Sequence, residues 1–171
     1  MLIKEAESQR HVLAITVDNE AGILAKIAGL FTARGYNIDS LTVADITENH
    51  AVSRITIVTN GPPEVIDQIH AQLDRLVPVH KVVDLTEEGP HVERELALVK
   101  VAGTGEKRVE ALRLADIFRA RPVDTTTESF IFEITGTPEK VDSFVGLMRE
   151  LGLVEVGRTG IVGMMRGAQG A

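Results

Sequence analysis

No cysteine occurs among the 171 residues. That excludes disulfides, thiolate metal sites, iron–sulfur clusters and thiol nucleophiles together. Aromatic residues make up 4% of the chain, too few for a base-stacking sheet of the kind that reads RNA. Positive charge is also short. Against 25 Asp and Glu stand 18 Lys and Arg, and the net charge of −7 opposes binding to a phosphate backbone. No apolar run approaches the roughly 18–20 residues that cross a bilayer. The opening Met1–Glu7 has too short an apolar stretch and the wrong charge for a signal peptide, so a cytoplasmic protein is expected. What is present is 44% apolar and 25% charged, the balance of a packed globular chain with one ordinary domain or two small ones.

Gly and Pro divide the chain into segments whose apolar period alternates between strand and helix. His11–Val17 is almost continuously apolar and predicts a strand buried on both faces. After the turn at Asp18-Asn19-Glu20, Ile23, Ile27, Leu30 and Phe31 fall at helical spacing, and Gly35 is placed to end that helix. Strands are predicted at about Tyr36–Ile46 and Val52–Thr59, joined by the polar turn Thr47-Glu48-Asn49-His50. Gly61-Pro62-Pro63 opens a second helix carrying Ile66, Ile69, Leu73 and Leu76; Pro78 stops it, and Val79–Leu85 reads as a fourth strand.

The same βαββαβ order then starts again. A strand at Leu96–Ala102 precedes a helix at Glu106–Ala120, strands at Val123–Thr127 and Phe130–Thr135, a helix bearing Val141, Phe144, Val145, Met148 and Leu151, and a strand near Val154–Gly157. Gly61-Pro62-Pro63-Glu64 aligns with Gly136-Thr137-Pro138-Glu139, which points to two copies of one architecture. The fold class is therefore α+β: two ferredoxin-like βαββαβ domains, each an antiparallel sheet with helices on one face. The expected bounds are 10–86 for the first domain, 87–95 for a linker and 96–167 for the second. Because Val12–Val17 leaves neither side of the first strand polar, the sheet's other face needs cover, and association of copies through sheets or edges is expected.

Catalytic chemistry finds no constellation. His11, His50, His70, His80 and His91 are scattered without the helical spacing of metal ligands, so no metal site is expected. Ser40, Ser53, Ser129 and Ser143 lack the glycine context of an activated serine. Gly103-Thr104-Gly105-Glu106-Lys107 has the wrong spacing for a phosphate loop. An acylphosphatase-like hydrolase would want an Arg in the first loop, which has none, although Asn37 would suit water placement.

The loop Asn19-Glu20-Ala21-Gly22-Ile23-Leu24 carries the most information. It leads from a strand into a helix N-terminus, where unpaired N–H groups and the dipole suit a carboxylate. Gly22 removes a side chain at the closest approach, and Asn19 offers both a donor and an acceptor. A second amide, Asn37, begins the next strand close enough in sequence to lie nearby. With Ile23, Leu24 and Ile38 it would suit a small zwitterion with an apolar side chain. Equally, Asn19 reads as a helix N-cap and Asn37 as a turn residue.

Asn19–Leu24, Arg34–Ala44 and Ser53–Val58 resemble the ACT domain of the regulatory small subunits of acetohydroxyacid synthase (acetolactate synthase). His91-Val92-Glu93-Arg94-Glu95-Leu96 resembles that family's inter-domain junction, and Arg158-Thr159-Gly160-Ile161-Val162-Gly163 its C-terminal signature. The resemblance implies a homodimer that binds valine or another branched-chain amino acid at the ACT interface. Asn19, Gly22, Ile23 and Leu24 of one subunit and Asn37 and Ile38 of the other would make the contacts. It also implies a separate catalytic large subunit that holds thiamine diphosphate, Mg and FAD, joins two pyruvates with loss of carbon dioxide, and is stimulated and made feedback-sensitive by this chain. This chain would hold no cofactor. A stand-alone ACT sensor of another pathway is the alternative.

Overall fold

The computed structural model describes residues 7–170, so the Met1–Glu7 opening lies, but for its last residue, outside the described residues. The elements are β1 (Gln9–Asp18), α1 (Ile23–Ala33), β2 (Ser40–Asp45), β3 (Val52–Gly61), α2 (Pro63–Asp74), β4 (Val79–Asp84) and the short α3 (Leu85–Glu88). They continue with β5 (His91–Ala102), α4 (Gly105–Ile117), β6 (Arg121–Thr125), β7 (Ser129–Gly136), α5 (Pro138–Leu151), β8 (Leu153–Arg158) and β9 (Val162–Met165). The βαββαβ order occurs twice, as predicted. Gly61 and Gly136 both end the third strand of their copy, and Pro63 and Pro138 both open the helix that follows.

The chain divides into two compact units, residues 1–92 with 161–171, and residues 93–160. In the first, the antiparallel sheet runs β2-β3-β1-β4. Period-two alternation sends Leu13, Ile15 and Val17 of β1, with Ile55 and Ile57 of β3, against Ile23, Ile27 and Phe31 of α1 and Ile66, Ile69 and Leu73 of α2. The opposite face carries Val12, Ala14, Val58 and Val83, so β1 is indeed buried on both sides.

The cover on that second face bears on two expectations. It comes in part from the chain itself: Ile161, Leu85 and Met165 pack on it. Residues 161–167, expected with the second domain, therefore belong to the first unit. The attachment is specific. The Ile161 N–H bonds Ser40 Oγ at 2.9 Å, Thr42 Oγ1 donates to the Ile161 carbonyl at 3.2 Å, and Arg54 Nη2 donates to the Gly163 carbonyl at 2.8 Å. A Cβ on Gly163 would stand 2.6 Å from Leu85 Cδ1 and 3.4 Å from Val12 Cγ1, so a larger residue there would oblige the Leu85 side chain to shift. β9 pairs β5, and the Arg166 N–H bonds the Pro90 carbonyl at 3.1 Å. The expected 87–95 linker is likewise structured. Asp84 Oδ1 caps α3 through the Thr86 and Glu87 N–H groups, and β5 begins at His91.

In the second unit the order is β6-β7-β5-β8. Ala97, Val99 and Val101 of β5 and Phe130, Phe132 and Ile134 of β7 meet Val141, Phe144 and Met148 of α5 and Ala111 and Ala115 of α4. Phe144 lies edge-on to Phe132, with ring centroids 6.0 Å apart. Glu95, 5% exposed, accepts from Arg158 Nη2, while Arg158 Nη1 donates to Asp142 Oδ1 at 2.6 Å. That ties β5, β8 and α5 together.

Candidate functional site

β1 ends at Asp18, and the chain leaving it is tied to the neighbouring segments. The Asp18 N–H bonds the Pro78 carbonyl and the Asn19 N–H the Ala51 carbonyl, each at 2.8 Å. Gly22 then takes φ +84°, a left-handed conformation that glycine adopts without strain, and α1 begins at Ile23. No side chain caps α1. Its amide end is therefore available to an anion, and the N-cap role considered for Asn19 is not the one it plays.

Asn19 is exposed and its side chain turns away from the helix. Its Nδ2 donates to Asp45 Oδ1 at 3.0 Å and to the His50 carbonyl at 2.9 Å. Asp45 is itself held by Ser53 Oγ at 2.9 Å on Oδ1 and by His50 Nδ1 at 3.0 Å on Oδ2. On the other flank of the loop, His80 Nε2 sits 2.6 Å from Asp18 Oδ1. Ile23 is buried in the core, whereas Leu24 is 39% exposed beside the loop.

Asn37 lies elsewhere. Its Nδ2 donates to Asp39 Oδ1 at 2.9 Å and its carbonyl accepts from Thr59 Oγ1 at 2.6 Å. Asp39 also takes Asn60 Nδ2 at 2.5 Å, and its N–H bonds the Val58 carbonyl. Ile38 is half-buried against the first unit's core. In the sheet register Asp18 faces Val52 and Asp45 faces Ser53, while Ser40 faces Val58 and Arg10 faces Asn60. The six steps from Val52 to Val58, at about 3.3 Å each, put the two asparagines ~20 Å apart, at opposite ends of the sheet. The expected proximity of Asn19 and Asn37 within one chain is not met. The same separation keeps Asn37 from placing a water for the first loop of its own chain, as a hydrolase within one copy would need.

Of the supporting residues, His50 and Ser53 are weighed in the sequence only as catalytic or metal candidates and set aside, and Asp39 and Asp45 carry no signal of their own. Asp45 falls within the predicted strand Tyr36–Ile46, and His50 within the polar turn Thr47-Glu48-Asn49-His50. A further group also escaped: the ligating atoms of His11, Asp84 and Glu87 all lie within 4.8 Å of one another. His11 and Asp84 are 73 positions apart, so spacing carries no trace of the cluster. His11 Nδ1 meets Asp84 Oδ2 at 2.7 Å, and Asp84 is already engaged in capping α3. His11 Nε2 is buried with no hydrogen-bond partner, whereas a metal-bound imidazole normally anchors its second nitrogen. The geometry is that of a structural pair.

Comparison with known proteins bears on the fold and the family. Residues 13–81 match the family described as the AHAS small subunit-like ACT domain, so the first unit is an ACT domain. Residues 94–167 match the family described as the small subunit of acetolactate synthase. The probable acetolactate synthase small subunit of Archaeoglobus fulgidus is 48% identical over 92% of this chain and 98% of its own length. The Escherichia coli isozyme 3 small subunit is 43% identical over 92% and 96%. A crystal structure of the Thermotoga maritima small subunit superposes with a TM-score of 0.83 at 39% identity, covering 94% of this chain and 99% of that one. The chain belongs to the acetolactate synthase small-subunit family. Among the described residues no helix is long and apolar enough to cross a membrane.

Proposed function

We propose that this chain is the non-catalytic regulatory subunit of an acetolactate synthase. It associates as a homodimer in the cytoplasm, binds valine or a related branched-chain amino acid between two ACT domains, and thereby activates and feedback-regulates a separate catalytic subunit. That partner condenses two pyruvates to acetolactate and carbon dioxide, and it holds the thiamine diphosphate, Mg and FAD; this chain holds no cofactor.

The observation that carries this reading is the placement of the two half-sites at opposite ends of β2, an edge strand. Asp45, which holds Asn19, ends that strand, and Asn37 precedes its start. Two copies pairing their β2 edges antiparallel about a two-fold axis would set the Asn19–Leu24 loop of each beside the Asn37-Ile38 segment of the other. A ligand bridging them favours that dimer geometry, and it regulates only through its difference in affinity between two states, typically ~1–3 kcal/mol. Leu24 and Ile38 provide the apolar contact for a branched side chain. Apolar contact separates branched chains by only about 1–3 kcal/mol per methylene.

Calorimetry with valine on the full chain, beside inhibition of the reconstituted enzyme, tests the proposal. Gly22→Asp should abolish valine binding by placing a like charge where the carboxylate docks. Asn37→Ala should weaken it by about 1–3 kcal/mol. Both variants should still activate the catalytic subunit. Unchanged inhibition in both would remove the site.

A further inference from the structure

We propose that residues 161–165 act as a strap that carries the effector's signal. Ile161 is clipped to the middle of β2, between the two half-sites, and passes the state of that strand along the chain to the second unit. This rests on the two-half-site reading given above and adds the route by which occupancy is felt elsewhere.

Asn37 stands three positions before Ser40, and Asp45 three positions after Thr42. Ser40 and Thr42 share one face of β2, because side chains alternate along a strand. Both polar backbone groups of Ile161 are held there. Its N–H donates to Ser40 Oγ at 2.9 Å, and its carbonyl accepts from Thr42 Oγ1 at 3.2 Å. A movement of β2 therefore loads two bonds at a single residue. From β3, Arg54 Nη2 holds the Gly163 carbonyl at 2.8 Å. On the other side of the clip the chain is anchored within the second unit. The Thr159 N–H bonds the Leu96 carbonyl at 3.0 Å, Thr159 Oγ1 accepts from the Leu96 N–H at 3.1 Å, and Arg158 donates to Glu95 and Asp142. Only Gly160, at φ +89°, lies between anchor and clip.

Opposed terms set how firmly the strap is seated. Ile161 and Met165 pack on Val12, Ala14, Val58 and Val83, which favours seating. Against it stands the burial of Arg54, whose Nε is buried with no hydrogen-bond partner and whose guanidinium is lowered from its ordinary range by desolvation. Release would return that cation to water. Glycines at positive φ, Gly160 and Gly167, bracket the segment and let it move without a steric penalty. A ligand that fixes both ends of β2 need only favour the seated strap to shift the population.

The first readout is amide hydrogen exchange of the wild-type full chain with and without L-valine. The N–H groups of Thr159 and Ile161 should exchange at least about tenfold more slowly with valine bound. The second uses Thr42→Val and Arg54→Met, singly and together, with folding checked by circular dichroism. Each removes a tether and keeps the bulk of the side chain. The variants should still bind valine by calorimetry and still activate the catalytic subunit. At saturating valine the double variant should lose at least about half of the wild-type inhibition. A merely structural tether would raise the valine concentration needed and leave inhibition at saturation complete. Unchanged or faster exchange at Thr159 and Ile161 in the valine-bound wild type, or complete inhibition of the folded double variant, overturns the inference while the effector site stands. If the wild-type chain binds no branched-chain amino acid, both fall.

Discussion

Ile161→Ala tests whether the C-terminal segment is part of the ACT domain. Ile161 is 7% exposed and packs among Val12, Ala14, Val58, Val83 and Leu85. The substitution removes three buried carbons, worth ~2.4 kcal/mol at about 0.8 per methylene, plus a cavity term. The segment lies on a sheet surface and can settle inward, so the cavity term is small. Its backbone tethers to Ser40 and Thr42 do not involve the side chain and survive. The expected loss is about 2–3 kcal/mol, or roughly 10–20 °C in melting temperature for a unit of about a hundred residues. The chain provides its own selective probe. It has no tryptophan and one tyrosine, Tyr36, which packs on the core of the first unit. Tyrosine fluorescence during urea or thermal unfolding therefore follows that unit alone. The midpoint should fall by the stated amount. An unmoved tyrosine transition, with the loss appearing only in amide exchange of residues 93–160, would refute the assignment.

Glu95→Ala should destabilise the second unit by about 1–3 kcal/mol, less than for a fully buried pair because Arg158 is 36% exposed and can turn to water; amide exchange of β5 and β8 reads it. The hydrogen bond from Arg158 to Glu95 holds the guanidinium above its ordinary range. A raised folded value means its contribution is fully present below the ordinary arginine range and is lost only above it, so this group's share should be the same at pH 7 and pH 9. Gly152→Ala should cost about 3 kcal/mol or more, since φ is +107° and the added Cβ would stand 2.1 Å from the Ala102 carbonyl oxygen. Gly157→Ala, where nothing lies within 4 Å, is the matched control and should stay within about 0.5 kcal/mol.

Elements were legible because their causes are local. The spacing of Ile23, Ile27 and Phe31, the proline at each second helix start, and the glycines at Gly22 and Gly35, both at positive φ, act within a few residues of themselves. The repeat was legible for the same reason, because Gly61 and Gly136 do one local job twice. The loop after β1 was legible too, whereas the residue types of Asn19 and Asn37 left an N-cap and a turn role open beside a binding one.

What the amides do there was not written locally. Asn19 is held by Asp45 and the His50 carbonyl, and whether an Asn caps a helix or reaches across to the next hairpin depends on register between strands. The same holds for the ~20 Å between two asparagines only 18 positions apart. Ile161 is as apolar as any strand residue, and nothing near it in sequence says which sheet it covers; that was decided by the unfilled face of β1. Periodicity and turn chemistry thus came from the chain alone, while the assignment of partners to exposed apolar faces and spare hydrogen-bonding groups came only when all of them competed in three dimensions.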